Sequence, residues 1–492
     1  MPDSEMMVTV RSMNMPNFWR TLSLAWIFCA ATVIASPAQT FTTLLNLNDT
    51  NGAYPFAGLV EGSSGSFYGT TLRGGTNITN CIDGCGTVFE MTGRGQLTTL
   101  YSFCQKPGCT DGSYPYSAPV EATNGMFYGT TFQGGSSGDG TVFEISAKGT
   151  FTTLHSFNGT DGEDPYAGLI LGSDGNLYGT TLFGGANGYG AVFKMTPTGT
   201  LTTLYSFCAQ TNCADGQSPY AGLVQAANGD FYGTTAAGGA YSEGTVFEIT
   251  SSGRLITLYS FCSQTNCTDG YFPYAGLVQA TDGNLYGTTY YGGSYTSCGI
   301  GVGCGTVFRI TPGGALTTLH SFSGADGQYS FAALVQATDG NLYGTTYTGG
   351  ANGDGTIFEI SLSGALTTLH NFAGTDGDFP VADVAQATNG EFYGTSAFGG
   401  PDNDGTIFSL NEGLGPFVEM LPTSAKVGTT IMIFGNNLTG TTGVSFNGTV
   451  ASFKVVSASE IQATVPSGAT SGDVKVKTPS GTLASNVTFQ VQ

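Results

Sequence analysis

A tetrapeptide, Tyr-Gly-Thr followed by Thr or Ser, recurs seven times along this chain of 492 residues. Successive copies are separated by 60, 50, 54, 54, 57 and 50 residues. A period of this length indicates one supersecondary unit that is stacked repeatedly, rather than a single irregular domain. The copies begin at Tyr68, Tyr128, Tyr178, Tyr232, Tyr286, Tyr343 and Tyr393.

Each repeat contains four short runs that are rich in β-branched and aromatic residues. In the fourth repeat, these runs, A to D, cover residues 221–225, 230–235, 244–250 and 255–261. Turn-forming residues separate the runs, and Asn228-Gly229 between A and B favours a tight hairpin. The 77 glycines argue against helices. The sequence therefore predicts an all-β fold, a seven-bladed β-propeller with four antiparallel strands per blade.

Two further features of the repeat lead to specific predictions. No D run follows the last C run, but residues 41–47 resemble a D run and precede the first A run. We therefore expect the N-terminal strand to complete the last blade and close the ring. The glycine inside each Tyr-Gly-Thr-Thr would weaken an isolated strand, so we expect it to allow a neighbouring backbone to approach closely.

The N-terminus has the pattern of an export signal. Arg11 and Arg20 precede an apolar run over residues 22–35, and Ser36-Pro37-Ala38 fits a small-x-small cleavage site. Spanning a bilayer takes roughly 20 residues, so this run predicts a secretory signal peptide over residues 1–38, with a retained membrane anchor as the alternative. No other stretch is apolar enough to span a membrane, which predicts an exported protein that is extracellular, cell-surface or periplasmic.

Ten cysteines remain after the leader, and they occur in pairs where a connection between runs is longer than in the other repeats. An even number of cysteines in an exported protein favours disulfides, and we predict five local ones. Zinc is the alternative, but it would need two pairs to converge from different blades and a compartment that preserves thiols. The predicted pairs are Cys81 with Cys85, Cys104 with Cys109, Cys208 with Cys213, Cys262 with Cys267, and Cys298 with Cys304.

The strand order places the D-to-A and B-to-C connections on one face of the ring. All five predicted disulfides therefore share that face, and preshaped loops on a rigid scaffold are a usual place for recognition. The alternative is that the disulfides only compensate for longer loops. The acidic residues that we assign to this predicted binding face are Asp111, Asp161, Asp164, Asp215, Asp269, Asp326 and Asp376.

The charge balance restricts the possible partners. The 13 basic and 34 acidic residues give a net charge of -21, which opposes binding to nucleic acid and to anionic membranes. An extracellular or cell-surface glycan or protein is the expected partner.

The sequence contains few candidate catalytic or metal-binding residues. His155, His320 and His370 occupy D-run positions that hold Tyr in other repeats, so we interpret them as packing residues and predict no catalytic residue. Asp402 and Asp404 resemble the start of a calcium loop, but the later Glu is missing, so an ordinary polar loop is the alternative. No other metal or cofactor is expected.

The repeat domain, residues 39–413, resembles a known family. Motifs such as Ala221-Gly-Leu-Val and Asp282-Gly-Asn-Leu-Tyr-Gly-Thr-Thr289 are similar to the GloVer tandem repeat of exported bacterial proteins. Residues 416–492, which include Phe434-Gly-Asn-Asn-Leu438 and Thr478-Pro-Ser-Gly481, resemble an IPT/TIG immunoglobulin-like domain, which implies a small β-sandwich. Proteins with this repeat often end in a surface-sorting signal, whereas this chain ends in the IPT/TIG-like domain. The resemblance implies no settled activity or ligand.

These observations favour an exported, non-enzymatic binding protein that recognises a glycan or protein through the disulfide-containing face. One alternative is a secreted carbohydrate-active enzyme, a glycoside hydrolase or lyase, that uses acidic loop residues. Another is a structural protein of the cell envelope.

Overall fold

The computed structural model describes residues 39–77, 81–295, 298–299 and 301–492. The predicted leader, residues 1–38, lies outside the described residues. None of the helices in the described ranges has the length and apolar character needed to cross a membrane.

The repeats fold into short strands in the order that the sequence predicts. The chain begins with β1 (Thr40–Asn46). The first repeat has β2 (Val60–Glu61), β3 (Phe67–Thr71), β4 (Thr87–Met91) and β5 (Leu97–Ser102). The second has β6 (Val120–Glu121), β7 (Met126–Thr131), β8 (Thr141–Ser146) and β9 (Phe151–Ser156). The third has β10 (Ile170–Leu171), β11 (Leu177–Thr181), β12 (Ala191–Met195) and β13 (Leu201–Ser206). The fourth has β14 (Val224–Gln225), β15 (Phe231–Thr235), β16 (Thr245–Ile249) and β17 (Leu255–Ser260). The fifth has β18 (Val278–Gln279), β19 (Leu285–Thr289), β20 (Thr306–Ile310) and β21 (Leu316–Ser321). The sixth has β22 (Val335–Gln336), β23 (Leu342–Thr346), β24 (Thr356–Ile360) and β25 (Leu366–Asn371). The seventh has β26 (Ala385–Gln386), β27 (Phe392–Ser396) and β28 (Thr406–Asn411).

Each repeat forms a blade-like, four-stranded antiparallel sheet. The B strand, such as β15, is buried along its whole length, and the C strand, such as β16, is buried at four of its five residues. Both strands are buried on both faces because a neighbouring sheet packs against each face. The D strand is only partly buried, which is expected of an outer strand. The A strand contains two residues and is shorter than the predicted run.

The N-terminal strand belongs to the last sheet. β1 pairs antiparallel with β28, from Thr40 opposite Asn411 to Asn46 opposite Thr406, and the sheet order is β1-β28-β27-β26. The chain therefore supplies the missing D strand from its N-terminal end, as the phase of the repeat predicts.

One polar contact recurs between neighbouring sheets. In the fourth and fifth sheets, the Ala227 amide donates to Gln279 Oε1 over 2.8 Å. The same contact joins the last sheet to the first, where the Thr388 amide donates to Glu61 Oε2 over 2.7 Å. The Thr395 hydroxyl also donates to the Ala57 carbonyl oxygen, over 2.8 Å. The seventh sheet thus contacts the first in the same way as internal neighbours contact each other.

The glycine of the repeated tetrapeptide faces a side chain, which corrects the expectation of a neighbouring backbone. A Cβ added to Gly233 would lie 2.6 Å from Cζ of Phe247 and 3.0 Å from Cδ2 of Leu223. The Phe247 ring comes from the adjacent C strand of the same sheet. A glycine is needed because this ring lies across the B strand.

The C-terminal residues form a small β-sandwich. Its strands are β29 (Val418–Leu421), β30 (Ser424–Ala425), β31 (Thr430–Gly435), β32 (Gly443–Phe446), β33 (Thr449–Val450), β34 (Phe453–Val455), β35 (Glu460–Thr464), β36 (Val474–Thr478), β37 (Gly481–Ala484) and β38 (Gln490–Val491). Two four-stranded sheets, β29-β31-β35-β34 and β33-β32-β36-β37, enclose an apolar core that includes Ile433, Val476 and Phe489. Residues 39–492 form one compact unit, in which Ser459 Oγ donates to the Ser63 carbonyl oxygen over 2.8 Å.

Candidate functional site

The D-to-A connections are organised by a buried aspartate. Asp215 is fully buried and accepts hydrogen bonds from the Tyr205 hydroxyl (2.8 Å) and from the amides of Ala209 (2.9 Å) and Gln210 (3.1 Å). Asp111 and Asp269 occupy the same position in their repeats and are also fully buried. A carboxylate that accepts several hydrogen bonds in a buried place fixes the shape of the loop around it.

The shorter connections use histidine in place of tyrosine. The distance from Nε2 of the histidine to Oδ2 of the aspartate is 2.9 Å between His155 and Asp161. The corresponding pairs, His320 with Asp326 and His370 with Asp376, are separated by 2.8 Å and 3.1 Å. Tyrosine and histidine interchange at this position because both side chains reach the same carboxylate. This contact explains the three histidines as structural residues.

Six of the seven acidic residues assigned to the predicted binding face are thus engaged by their own connection, three by a tyrosine and three by a histidine. The seventh, Asp164, has a positive φ of 54°. Burial and the nearby charges of Glu163 and Asp139 raise the pKa of Asp164 to about 6. The six paired carboxylates shape the connections, and their oxygens are occupied within the protein.

The structure joins the ten cysteines in the five predicted disulfides. Three of the disulfides enclose a single turn of 3-10 helix, at Pro107–Cys109, Thr211–Cys213 and Thr265–Cys267. Two disulfides lie side by side, because Sγ of Cys81 is 3.9 Å from Sγ of Cys104. Two cysteine pairs therefore do converge, and these four sulfurs would be free to hold a metal only if both disulfides were reduced.

The calcium candidate lies in a turn before β28. Asp402 is exposed, whereas Asp404 is buried, and burial together with the charges of Asp49 and Asp402 raises the pKa of Asp404. In the described ranges, no third acidic, histidine or cysteine side chain lies close enough to these two to complete a three-ligand set.

A ring of aromatic side chains forms where the D-to-A connections meet. Each aromatic residue follows a Pro or Ser directly and precedes the A strand by four residues. Ring centroids of successive repeats are 4.4 Å apart between Tyr116 and Tyr166, 4.3 Å between Tyr166 and Tyr220, and 4.9 Å between Tyr220 and Tyr274. The repeat thus places equivalent residues of neighbouring sheets in mutual contact.

Five of the six aromatic side chains at this position, together with Val381 and two tyrosines that follow B strands, line a cavity of about 220 Å³. We call it the aromatic pocket. Its lining residues are Phe56, Tyr166, Tyr220, Tyr274, Tyr290, Phe331, Tyr347 and Val381. None of them is charged.

The local sequence explains why the aromatic residues converge. Ser218 has a positive φ of 55°, and Pro219 follows it with a restricted φ, so the chain turns sharply just before Tyr220. The proline packs against Gly190 of the preceding sheet, where an added Cβ would lie 2.5 Å from Cδ of Pro219. A glycine opens the preceding C strand, and only a glycine leaves room for this proline. The aromatic side chain that follows is therefore held in a fixed position.

The phenols of the aromatic pocket are neutral and accessible. Burial, with the neighbouring phenols of Tyr220 and Tyr116, raises the pKa of Tyr166, and burial also raises the pKa of Tyr220 and Tyr274. Within the described residues, the hydroxyls of Tyr166, Tyr220 and Tyr274 have no protein hydrogen-bond partner. They remain available to a ligand or to solvent.

In each repeat, a small residue usually stands two positions after the aromatic residue, and these small residues form a second ring. An added Cβ on Gly222 would lie 3.3 Å from the Gly168 carbonyl oxygen, and one on Gly276 would lie 3.8 Å from Cβ of Ala333, so equivalent positions of neighbouring sheets are close together. Asp383 occupies this position in the seventh repeat. The complete small-residue ring is Gly58, Ala118, Gly168, Gly222, Gly276, Ala333 and Asp383.

Sequence reasoning missed both the aromatic pocket and Asp383. The signal was present, because an aromatic residue stands at the same place in six repeats and Asp383 replaces Gly or Ala. Attention to charged loop residues led instead mainly to aspartates that are paired with a tyrosine or a histidine of their own connection.

Comparisons with known proteins agree with this architecture. The model of the Gloeobacter/Verrucomicrobia repeat matches residues 75–301 and 265–452, and the model of the IPT/TIG domain matches residues 417–491. No curated protein sequence matches significantly.

Solved structures resemble the chain only distantly. A fungal alcohol oxidase of the AA5 family, in complex with copper, has 12% identity and a TM-score of 0.49, covering 92% of this chain and 98% of its own. A putative 6-phosphogluconolactonase from Bacteroides uniformis has 17% identity and a TM-score of 0.43, covering 64% and 84%. A gluconolactonase from Xanthomonas campestris has 16% identity and a TM-score of 0.37, covering 59% and 84%. At this level of likeness, the chemistry in those names is not transferred to this chain.

The two matches to the repeat model together span residues 75–452, which is more than half of the chain, and they include most of the sheets described above. The chain therefore belongs to the Gloeobacter/Verrucomicrobia repeat family, and it carries a C-terminal IPT/TIG domain.

Proposed function

We propose that the chain is an exported, non-enzymatic binding protein. Its repeats would form a seven-bladed β-propeller closed by β1, which recognises an extracellular or cell-surface partner on the face that carries the disulfides. The observation that supports this proposal is the aromatic pocket, a preformed concave site among the D-to-A connections. Pockets with apolar walls and a few polar groups are typical of ligand recognition.

The rigidity of the pocket supports a binding role. The connection that ends in Tyr220 also contains the Cys208–Cys213 disulfide and the buried Asp215 with its three hydrogen bonds. A loop that is fixed before binding loses little conformational entropy when a ligand arrives. The disulfide and the buried aspartate therefore hold this connection, and the Tyr220 side chain at its end, in one conformation.

The enzyme alternative receives less support. Its candidate acids were the loop aspartates, and Asp111, Asp215 and Asp269 are fully buried while their oxygens accept hydrogen bonds from their own connections. A general acid or nucleophile must reach the substrate. A purely structural envelope role would not need a preformed pocket with unpaired hydroxyls.

The test combines binding with product analysis. The purified protein is applied to a panel of immobilised polysaccharides and surface extracts, beside the variant Tyr220→Ala/Tyr274→Ala and the control Tyr241→Ala. Tyr241 is 53% exposed and lies outside the pocket, so it controls for the loss of a tyrosine from the surface. We expect retention that is lost in the double variant and kept in the control.

Two outcomes would contradict the proposal. New reducing or unsaturated ends in the polysaccharides would indicate an enzyme. Retention of the wild-type protein on no member of the panel would favour the structural role.

A further inference from the structure

Four cysteines of the first repeat come together from two different connections. Cys81 and Cys85 belong to the B-to-C connection, and Cys104 and Cys109 belong to the D-to-A connection that follows. Their four sulfurs all lie within 4.8 Å of one another. Among the residues that the structure describes, they form the one group of three or more cysteine, histidine or acidic side chains that is close enough to share a metal ion. We call this group the cysteine cluster.

The distances in the cysteine cluster suit a tetrahedral metal site. At a Zn–S distance of about 2.3 Å, neighbouring sulfurs of a tetrahedral zinc site are about 3.8 Å apart. Sγ of Cys81 and Sγ of Cys104, which belong to different disulfides, are already 3.9 Å apart. Once both disulfides are reduced, the two sulfurs of each former disulfide need only separate to the same distance. The four sulfurs are therefore arranged around a centre that suits a zinc ion.

The spacing of the four cysteines in the sequence agrees with this geometry. They follow the pattern Cys-x3-Cys-x18-Cys-x4-Cys. Structural zinc sites typically use two cysteine pairs, with about two to four residues inside each pair and about 15–20 residues between the pairs. The connections that contain Cys208 and Cys262 lack this pattern, because the B-to-C connection before each of them contains no cysteine. The pattern is therefore specific to the first repeat.

The cysteine cluster is largely shielded from water. Cys81, Cys85 and Cys104 are buried in an apolar core, and Cys109 is partly buried against the same core. An apolar shell limits the access of water to a metal site and so helps to retain the ion. Cys109 is the sulfur that a reductant can approach first.

The loop between Cys104 and Cys109 carries a cation that its equivalents lack. Lys106 lies in this loop, whereas residues 209–212 and 263–266 of the equivalent loops include no basic residue. Arg73, beside the other loop, is paired with Asp83 at 3.3 Å and adds no net charge. Zn²⁺ with four thiolates carries two net negative charges, which a nearby cation stabilises. Lys106 thus favours the metal-bound form of the cysteine cluster.

We propose that the cysteine cluster is a redox-dependent zinc site. In the oxidised chain the cluster holds two disulfides. A phosphine reductant gives two electrons to each disulfide and becomes a phosphine oxide with the oxygen of one water molecule, whose two hydrogens go to the sulfurs. Zn²⁺ then displaces the four thiol protons and holds the two connections together in place of the disulfides. The inference is independent of the proposed ligand-binding function.

Co²⁺ is a suitable probe, because its visible spectrum reports tetrahedral coordination by thiolates. The full chain is reduced with tris(2-carboxyethyl)phosphine under argon and is titrated with Co²⁺ and then with Zn²⁺. We expect one Co²⁺ per reduced chain with the spectrum of a tetrathiolate site, and we expect one equivalent of Zn²⁺ to displace it. The oxidised chain should bind neither ion in this way.

Two double variants form a matched pair. Cys104→Ser/Cys109→Ser removes two of the four sulfurs and should weaken the binding of Co²⁺ at least about 100-fold. Cys208→Ser/Cys213→Ser removes a disulfide of the same spacing from another repeat and should leave the binding of Co²⁺ unchanged.

Thermal unfolding of the reduced chains gives a second readout and shows which variants are folded. Zn²⁺ should raise the melting temperature of the wild type and of Cys208→Ser/Cys213→Ser, because a ligand that binds only the folded chain stabilises it. The variant Cys81→Ser/Cys85→Ser, on the other connection of the cysteine cluster, should show no such increase.

Absence of the tetrathiolate spectrum from the reduced wild type would overturn the inference. Equal binding of Co²⁺ by Cys104→Ser/Cys109→Ser and Cys208→Ser/Cys213→Ser would also overturn it, whether both variants keep the spectrum or both lose it, because the binding would then not depend on the cysteine cluster. The panel experiment on polysaccharides and surface extracts tests the proposed function separately, so either result can fail without the other.

Discussion

Phe41 is the residue through which the closing strand should contribute most to stability. Its ring stacks on the His370 ring with centroids 3.7 Å apart and an angle of 3° between the planes. It also contacts the rings of Phe408 (5.2 Å) and Phe372 (5.7 Å). We predict that Phe41→Ala weakens the attachment of β1 to the last sheet, while Thr42→Ala on the exposed side of β1 has little effect.

The size of the effect follows from the burial of the ring. Replacing a buried Phe by Ala costs about 3–5 kcal/mol, and Phe41 is only partly buried, so we expect a loss near the lower limit, about 3 kcal/mol. If β1 opens locally, about 3 kcal/mol corresponds to an approximately 100-fold faster exchange of the amides that this opening exposes.

Hydrogen exchange measured residue by residue is the suitable assay. In an antiparallel sheet, the backbone amides of one strand alternate between its two neighbours. The β28 amides that face β1 should exchange about 100-fold faster in Phe41→Ala than in Thr42→Ala. The β28 amides that face β27 serve as an internal control and should keep their rates.

Equal exchange in the two variants would refute the reasoning, because β1 would then add nothing to the last sheet. Equal acceleration of both sets of β28 amides would also refute local opening, because the sheet would then open as a whole.

Three further predictions concern the stability of the repeats and of the junction with the IPT/TIG domain. Asp215→Ala should lower the free energy of unfolding by about 3 kcal/mol, because three hydrogen bonds are lost. The exposed control Asp402→Ala should change this free energy by less than about 0.5 kcal/mol. Urea denaturation measures both variants, and equal effects would contradict the structural role of Asp215. Gly233→Ala should cost about 1–3 kcal/mol in the same assay, because the new Cβ overlaps the Phe247 ring, and an unchanged midpoint would show that the ring moves aside freely. Burial and the charge of the nearby Glu61 carboxylate raise the pKa of Glu419 to about 7, above its unfolded value of 4.5. The stability that the protonated form of Glu419 provides is therefore present below pH 4.5 and is lost as the pH rises through 7. Glu419→Gln should therefore gain stability over the wild type between pH 5 and pH 8, by up to about 3 kcal/mol, and a pH-independent difference in melting temperature would contradict this.

Much of the architecture follows from local patterns. The alternation of runs and turn dipeptides predicts the strand order, and the phase of the repeat predicts the pairing of β1 with β28. The cysteine pairs were predictable because each pair lies within a single enlarged connection. These features depend on residues that are close in sequence or on the repeat itself.

The candidate site depends on contacts that the linear pattern does not contain. Asp215 appears in the sequence as an acidic loop residue, and its burial follows only from the return of the connection to Tyr205 and to two backbone amides. The aromatic residues are separated by about 50 positions and meet only because neighbouring sheets place them side by side. Asp383 differs from its equivalents by composition, but its contact with the Gly58 position arises only where the seventh sheet meets the first.

The position of β1 has a consequence for how the molecule is made. The Thr395 hydroxyl and the Ala57 carbonyl oxygen that it contacts are 338 residues apart in sequence, so this seam forms only after nearly all repeats have been synthesised. Contacts of such long range form slowly. Until then, β28 offers an open edge that a β1 segment from another copy can occupy. Folding at high protein concentration should therefore yield strand-exchanged assemblies, and dilution during refolding should suppress them.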